Sequence, residues 1–97
     1  MINIKLCNQV GTFAGDKDIA RDIRLKKLIP ALEKGESIVL DFNKVEGATQ
    51  SFVHALISDL IRKYGNEVLD SIKFKSCNDI IKEIISIVVD YMQEREH

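Results

Sequence analysis

The sequence predicts a small α/β domain with a sheet of three to four strands and about three helices. An apolar run at residues 37–42 is typical of a central strand that is buried on both faces. Two longer segments, 50–64 and 78–93, carry apolar residues at the helical period and end or begin near glycine or polar caps. A chain of 97 residues can form one hydrophobic core, so we expect residues 1–97 to be a single domain.

The N-terminal segment is predicted to begin with a strand. Apolar and polar residues alternate over residues 2–6, which indicates a strand with one wet face. Residues 10–14 fit either the second arm of a hairpin or a flexible loop between Gly11 and Gly15. The strand order at this end therefore stays open between a hairpin and a strand followed directly by its crossover helix.

A first helical segment follows, and either Asp16 or Asp18 can cap it. Pro30 falls inside this segment, where proline lacks the N–H donor and its ring clashes with the preceding turn. We expect a kink or a break there, with Pro30 opening a second short helix that ends at residues 34–35. Gly35 is a suitable residue for that end.

The C-terminal part is predicted to hold an edge strand and the last helix. Residues 71–75 alternate apolar side chains with two lysines, and lysine on an edge strand discourages unwanted pairing. Ser76 is the expected cap of the last helix, with Asp79 reaching back to complete a capping box. Residues 94–97 are expected to form a frayed polar tail.

Composition narrows the functional classes. The net charge of −1, without a stripe of basic residues, argues against nucleic-acid binding. No apolar run approaches the ~20 residues that span a membrane, and the alternating N-terminal segment lacks the apolar stretch of a signal peptide. We therefore expect a cytoplasmic protein with no membrane partner. Cys7 and Cys77 predict no disulfide framework, and with His54 and His97 they form no zinc spacing. We expect neither a metal nor a cofactor.

A catalytic site is disfavoured. His54 lies three residues after Ser51, so the two side chains can share a helix face, but no glycine elbow or third orienting group accompanies them. A lone helix histidine is usually a solvated or packing residue. The segment from Gly11 to Gly15 also lacks the lysine and the spacing of a phosphate-binding loop.

Two polar clusters remain as candidates for an interaction surface. Asp41 and Asn43 end the central strand, where Asp41 either caps the loop by accepting backbone N–H groups or contributes to a site at the strand ends. Thr49, Gln50 and Ser51 begin the next helix. Thr49 or Ser51 is expected to cap that helix, and the same position suits phosphorylation because the helix dipole stabilises added negative charge.

The segments 38–45 and 48–53 resemble a small bacterial family of uncharacterised STAS-like domains. The shared pattern is a buried strand ending in Asp-Phe, a Val three residues on, and a Ser-Phe that opens a helix. Residues 11–13 and the strand 72–74 look similar too, so the resemblance covers nearly the whole chain. Family members often carry an acidic pair where residues 53–55 stand here, and this sequence departs from them at that point.

More distantly, the pattern is similar to STAS domains of anti-sigma factor antagonists. Those domains present a phosphorylatable serine at the start of the corresponding helix and bind a serine kinase of the histidine-kinase-like ATPase fold. Counting forward from Val45 without gaps, that serine position falls on Gln50, with Thr49 and Ser51 on either side. The resemblance therefore implies a protein-binding domain more directly than it implies a phosphorylation switch at one residue.

These observations predict a non-enzymatic bacterial regulatory domain whose partner is a protein, with a histidine-kinase-like ATPase as the partner that the resemblance implies. The alternative is a small-ligand or nucleotide-sensing module that uses Asp41 and the strand ends. The edge strands and the apolar last helix also leave a homodimer open. The candidate surface comprises Asp41, Asn43, Thr49, Gln50, Ser51 and His54.

Overall fold

A parallel three-stranded sheet lies at the centre of the molecule. In a computed structural model that describes residues 1–95, its strands are β1 (Ile2–Lys5), β3 (Ile38–Asp41) and β5 (Ile72–Lys75), in the order β1–β3–β5. All four residues of β3 are buried, and both of its neighbours run parallel to it. The predicted α/β class, the central strand and the lysine-bearing edge strand are thereby confirmed.

A second, two-stranded sheet forms where the sequence fits either a hairpin arm or a flexible loop. After β1 the chain forms the short helix α1 (Cys7–Val10), reverses at Gly11, where φ is +70°, and enters β2 (Phe13–Ala14). That strand pairs in parallel with β4 (Gly47–Ala48), which follows β3 in the chain. Both predicted arrangements of this end, a hairpin and a direct crossover, are wrong. The pairing that decides the path joins segments more than thirty residues apart in sequence, and burial of Ala14 stabilises it.

The first helical segment is a continuous rod with an irregular middle. It consists of α2 (Lys17–Ile23), a π-helical stretch at Arg24–Leu28, and α3 (Ile29–Glu33). Asp16 is the N-cap, since its Oδ1 accepts a hydrogen bond of 2.9 Å from the N–H of Asp18. Of the two caps that the sequence allows, the first is the one used.

Pro30 disturbs this rod, but the distortion lies before it. A proline ring clashes with the carbonyl group four residues earlier, here that of Lys26, and the widened π-helical turn contains that carbonyl. Pro30 itself stands in the first turn of α3, where a missing N–H is tolerated. The rod ends at Lys34 and Gly35, as predicted, with φ of +77° at the glycine.

Two long helices complete the chain. α4 (Gln50–Tyr64) begins at its N-cap Thr49, ends at Gly65 and leads through a 3-10 helix, Asn66–Ser71, into β5. α5 (Asp79–Arg95) then packs against α4. The structure thus contains five α-helices within residues 1–95, where about three were expected, because α1 is a single turn and the rod divides into two.

The predicted cap of α5 is wrong. The side chain of Asn78, not Ser76, accepts a hydrogen bond of 2.9 Å from the N–H of Ile81 and caps the helix. Ser76 has a φ of +58°, so its backbone turns in the left-handed region before the helix begins. The helix also continues through Arg95, which includes part of the predicted polar tail; residues 96–97 lie outside the described residues.

The hydrophobic core lies on one face of the sheet. Ile4 and Leu40 face it from neighbouring strands, and Phe52 and Leu56 reach it from α4. α4 packs closely against both α2 and α5, so these helices form a single layer over that face. Within residues 1–95, no helix combines the length and the apolar character needed to cross a membrane.

Candidate functional site

The structure separates the predicted site residues into two groups and a cap. One group lines a small cavity at the carboxyl end of β3, and the other lines a groove between α4 and α5. The remaining residue caps α4. Asp41 and Asn43 line the cavity, and Gln50, Ser51 and His54 line the groove. Thr49 is the cap.

Asp41 fixes the loop that follows β3. Its side chain is only 6% exposed, and Oδ1 accepts a hydrogen bond of 2.9 Å from the N–H of Asn43. Lys5 and Lys75 are its register neighbours on the two flanking strands, so cations stand on both sides of the buried carboxylate. The interpretation of Asp41 as a loop cap is confirmed.

The cavity beside Asp41 is small. It has a volume of about 160 Å³, whereas sites for small ligands usually measure roughly 300 to 1,000 Å³. Its polar lining includes Lys5, Asn8 and Lys44 as well as Asp41 and Asn43. A nucleotide is therefore too large for this cavity as it stands, which weakens the ligand-sensing alternative at the strand ends.

Thr49 joins α4 to the small sheet. Its Oγ1 accepts a hydrogen bond of 3.1 Å from the N–H of Phe52, and its own N–H donates to the carbonyl oxygen of Ala14 at 3.0 Å. Its methyl group lies 3.7 Å from the position that a Cβ would take at Gly15. The hydroxyl and backbone of Thr49 thus both serve the fold.

Gln50, Ser51 and His54 lie together in a groove of about 480 Å³, which we call the α4–α5 groove. Ser51 is exposed in the first turn of α4, and Ile87, which is 42% exposed, faces the groove from α5. Lys17 contributes a cation from the start of α2. The lining residues are Lys17, Gln50, Ser51, His54, Ala55, Ile87, Val88 and Tyr91.

His54 forms part of the groove wall, and its ring contacts Ser58 and not Ser51. Its Nδ1 lies 3.4 Å from the Oγ of Ser58, one helical turn further along α4, and Ser58 is buried. The ring also packs near Tyr91, with centroids 6.4 Å apart and planes tilted by 56°. The hydrogen bond of His54 therefore connects it to the core side of α4 and not to Ser51.

Sequence reasoning missed the half of the groove that comes from other elements. Lys17 and Ile87 are distant from Ser51 in the chain, so sequence spacing alone does not place them beside it. A signal for this exists in the sequence: apolar positions cover close to half of the α5 surface, more than one packed face needs. Ile80, Ile87 and Tyr91 are the exposed remainder.

Cys77 is a half-buried thiol just after the carboxyl end of β5. Burial raises its pKa, as does the nearby Asp41 carboxylate to a smaller extent, and Lys82 opposes the shift only in part. A raised pKa keeps the thiol protonated near neutral pH and hence weakly nucleophilic. Within residues 1–95, no three side chains of the metal-binding types gather into a cluster.

The architecture is that of a small parallel α/β domain in which polar residues collect at strand ends and at a helix start. The chain belongs to the family of STAS-like domains of unknown function (DUF4325), whose model matches residues 20–82, more than half of its length. That match extends from α2 to the first turn of α5 and confirms the resemblance drawn from the sequence. No curated protein and no solved structure matches the chain.

Proposed function

We propose that this chain is a non-enzymatic regulatory domain of the bacterial cytoplasm that binds a partner protein through the α4–α5 groove. The partner that we propose is a histidine-kinase-like ATPase. The observation that carries the proposal is the position of Ser51, which is exposed in the first turn of α4 next to the exposed apolar side chain of Ile87.

The apolar half of the groove supports contact with a protein. Ile87 and Tyr91 are one helical turn apart on α5 and both are substantially exposed, although large apolar side chains are usually buried. Aromatic and aliphatic anchors that are surrounded by polar groups are typical centres of protein interfaces. Gln50, Ser51 and Lys17 provide such a polar surround here.

Ser51 is the residue that we propose as the phosphate acceptor. Gln50 occupies the position that the resemblance implies but has no hydroxyl group, and the hydroxyl of Thr49 already accepts the N–H of Phe52. The partner kinase would transfer the γ-phosphoryl group of ATP to the Oγ of Ser51 and release ADP. The helix dipole and Lys17 would both favour the new negative charge, which would make a mostly apolar groove anionic.

We propose a non-enzymatic role because the side chains of His54 and Asp41 are engaged in local hydrogen bonds. Nucleophile chemistry needs a base within hydrogen-bond reach of the hydroxyl. The hydrogen bond found for His54 goes to Ser58, and Asp41 holds the N–H of Asn43. Both groups therefore support the local structure around them.

The test is a calorimetric titration of the chain against histidine-kinase-like ATPases from the same bacterium, with and without nucleotide. Ile87→Glu should weaken binding at least about tenfold, because it places a charge in the apolar centre of the interface. Ile80→Glu is the matched control, since Ile80 is 58% exposed on the same helix but does not line the groove. Equal effects of both substitutions, or no binding in any nucleotide state, would contradict the proposal.

The ligand-sensing alternative has one observation in its favour. The α4–α5 groove, at about 480 Å³, lies within the usual range for small-ligand sites. A ligand that binds only the folded state raises the melting temperature by mass action, so a thermal-shift panel of nucleotides tests this alternative. Specific stabilisation by one nucleotide, together with no binding of the ATPase, would favour it. Sedimentation of the free chain measures its mass in solution and so tests whether it forms a homodimer.

A further inference from the structure

The two faces of the three-stranded sheet differ in what they carry. The rows Ile2–Ile38–Ile72 and Ile4–Leu40–Phe74 face the core. Because residues alternate between faces along a strand, the intervening rows lie on the opposite side. We call that side the open face; its two rows are Asn3–Val39–Lys73 and Lys5–Asp41–Lys75.

Val39 shows that this side is separate from the core. It is 8% exposed, yet it does not belong to the hydrophobic cluster that the core residues of the described chain form. Its register neighbours on the flanking strands, Asn3 and Lys73, are both exposed. Parallel sheets usually have both faces covered by other elements. Here the helices pack on one face, and the other presents a small apolar centre under long polar side chains.

The charge of the open face is positive. Lys5, Lys73 and Lys75 are all exposed, whereas the single carboxylate in these two rows, Asp41, is buried and already accepts the N–H of Asn43. Lys44, in the loop after β3, is exposed as well. The chain as a whole has a net charge of −1, so this concentration of cations is local. The two strand rows carry three exposed lysines and no exposed carboxylate, so they are complementary to an anionic partner.

We propose that the open face is a second docking surface and that its occupant is an acidic, extended segment of a partner protein lying along β5. Lys73 and Lys75 are two residues apart on one strand, roughly 6.6 Å, and they point to the same side. An extended peptide repeats its side chains at the same interval, so glutamates at alternate positions meet both lysines. The proposal goes beyond the α4–α5 groove and does not depend on it.

Two features favour a protein segment over a nucleic acid. Val39 places an apolar contact in the middle of the face, which suits aliphatic parts of a peptide. Nucleic-acid footprints in general rely on a basic domain that neutralises many phosphates, and this chain is slightly acidic overall. Nucleic acid is accordingly an outcome that the experiment below is designed to detect.

The test is a titration of the full chain with a synthetic octapeptide of alternating glutamate and threonine. Binding is monitored at low salt through the amide chemical shifts of the chain. Shifts should move at Val39, Lys73 and Lys75, and binding should weaken as salt is added. The double variant Lys73→Glu/Lys75→Glu should lower the affinity at least about tenfold, because two attractions become repulsions. The matched control is Lys26→Glu/Lys27→Glu, which reverses the same charge on the exposed surface of the helical rod.

If the reversal variant does not fold, Lys73→Gln/Lys75→Gln removes the charges without repulsion and should still reduce the affinity several-fold. Equal losses in the control variant, shifts confined to the helices, or no binding of the peptide would overturn the proposal. A control octapeptide in which lysine replaces each glutamate should bind more weakly than the glutamate–threonine peptide. Equal affinity of the two peptides would also overturn the proposal. Tighter binding of an octameric oligodeoxythymidine would assign the face to nucleic acid. Ile87→Glu should leave peptide binding unchanged, which separates this result from that of the groove.

Discussion

The two ends of α4 use their polar residues differently. At its C-terminal end the hydroxyl of Tyr64 donates a 2.6 Å hydrogen bond to Glu33, and the Nζ of Lys63 lies 3.2 Å from the same carboxylate. At its N-terminal end Gln50 and Ser51 are exposed in the groove. One end of the helix is attached to the rod of α2 and α3, while the other is exposed next to α5.

The middle of α4 extends the attached part. Asp59 pairs with Arg24 at 3.0 Å, and Arg24 also donates a 2.6 Å hydrogen bond to the carbonyl oxygen of Ala55. Polar side chains that cross between elements stabilise the fold, and those that remain in a groove are available to a partner. The contacts between α4 and the rod therefore lie in the middle and at the C-terminal end of the helix, whereas our proposal assigns binding to the exposed side chains at its N-terminal end.

The largest effect should come from breaking the attached part. Asp59→Ala leaves the guanidinium of Arg24, whose side chain is only 11% exposed, without its carboxylate. We expect a loss of about 1–2 kcal/mol in the free energy of unfolding, moderated because Asp59 itself is half exposed. Urea denaturation measures it.

Arg24→Met provides the contrast. Methionine has a similar length, and the substitution removes a buried Nε that has no hydrogen-bond partner among the described residues. Asp59 is half exposed and keeps its pair with Arg62, so removing Arg24 leaves no unpaired buried charge, and we expect a change within about 1 kcal/mol. A larger loss for Arg24→Met than for Asp59→Ala would show that the pair contributes more than the desolvation of its charges removes.

Removal of either of two nearby hydroxyl groups at the start of α4 should have the next largest effect on stability. Thr49→Ala removes the N-cap of α4 and should cost about 1 kcal/mol of stability. Ser51→Ala, two residues later on the exposed surface, should change stability by less than about 0.5 kcal/mol. Thermal or urea unfolding of both variants compares them directly. Similar losses would mean that Ser51 has a structural role and is a poor candidate for a switch.

A negative charge at Ser51 should be mildly favourable. Ser51→Glu adds a carboxylate in the first turn of α4, next to the positive end of the helix dipole and close to Lys17. We expect stability to rise by about 0.3–1 kcal/mol at low ionic strength and the gain to shrink with salt. Ser86→Glu, on the exposed surface of α5 away from a helix start, is the control. A loss of stability in Ser51→Glu would argue against a phosphate there.

The smallest effect concerns pH. The hydrogen bond from Tyr64, and secondarily Lys63, lowers the pKa of Glu33. A lowered carboxyl pKa contributes stability above the ordinary pKa of 4.5, and this contribution is lost as the pH falls through the folded value. Tyr64→Phe should raise the pKa of Glu33 and reduce that acid dependence, as an NMR titration of the Glu33 carboxyl would show. An unchanged pKa would mean that the hydrogen bond is not maintained in solution.

Local features of this fold were predictable because a short stretch of chain determines them. Asp16, Thr49 and Asp41 each hold a backbone N–H two or three residues away, and the sequence shows both partners. Pro30 likewise disturbs the helix through its own ring. The cap of α5 was wrong because Ser76 adopts a left-handed backbone conformation that no sequence pattern reveals, and Asn78 takes its place.

Features that depend on distant contacts were not predictable in this way. The β2–β4 pairing brings Ala14 to Ala48, and hydrophobic alternation says nothing of which strands pair over such a separation. The groove needs α2 and α5 beside the start of α4, so Lys17 and Ile87 could not be assigned to it from their spacing. Gln50 and Ser51 were identified from their place at a helix start, while their surroundings came only with the tertiary structure.

Hydrogen–deuterium exchange of the chain, with and without a histidine-kinase-like ATPase from the same bacterium, tests the central claim most directly. It reports the two ends of α4 separately in a single experiment. Our account predicts slower exchange in the first turn of α4 and around Ile87 when the ATPase is bound, with little change near Tyr64. Protection that is confined to the C-terminal end of α4 and the rod, with none around Ser51, would contradict it.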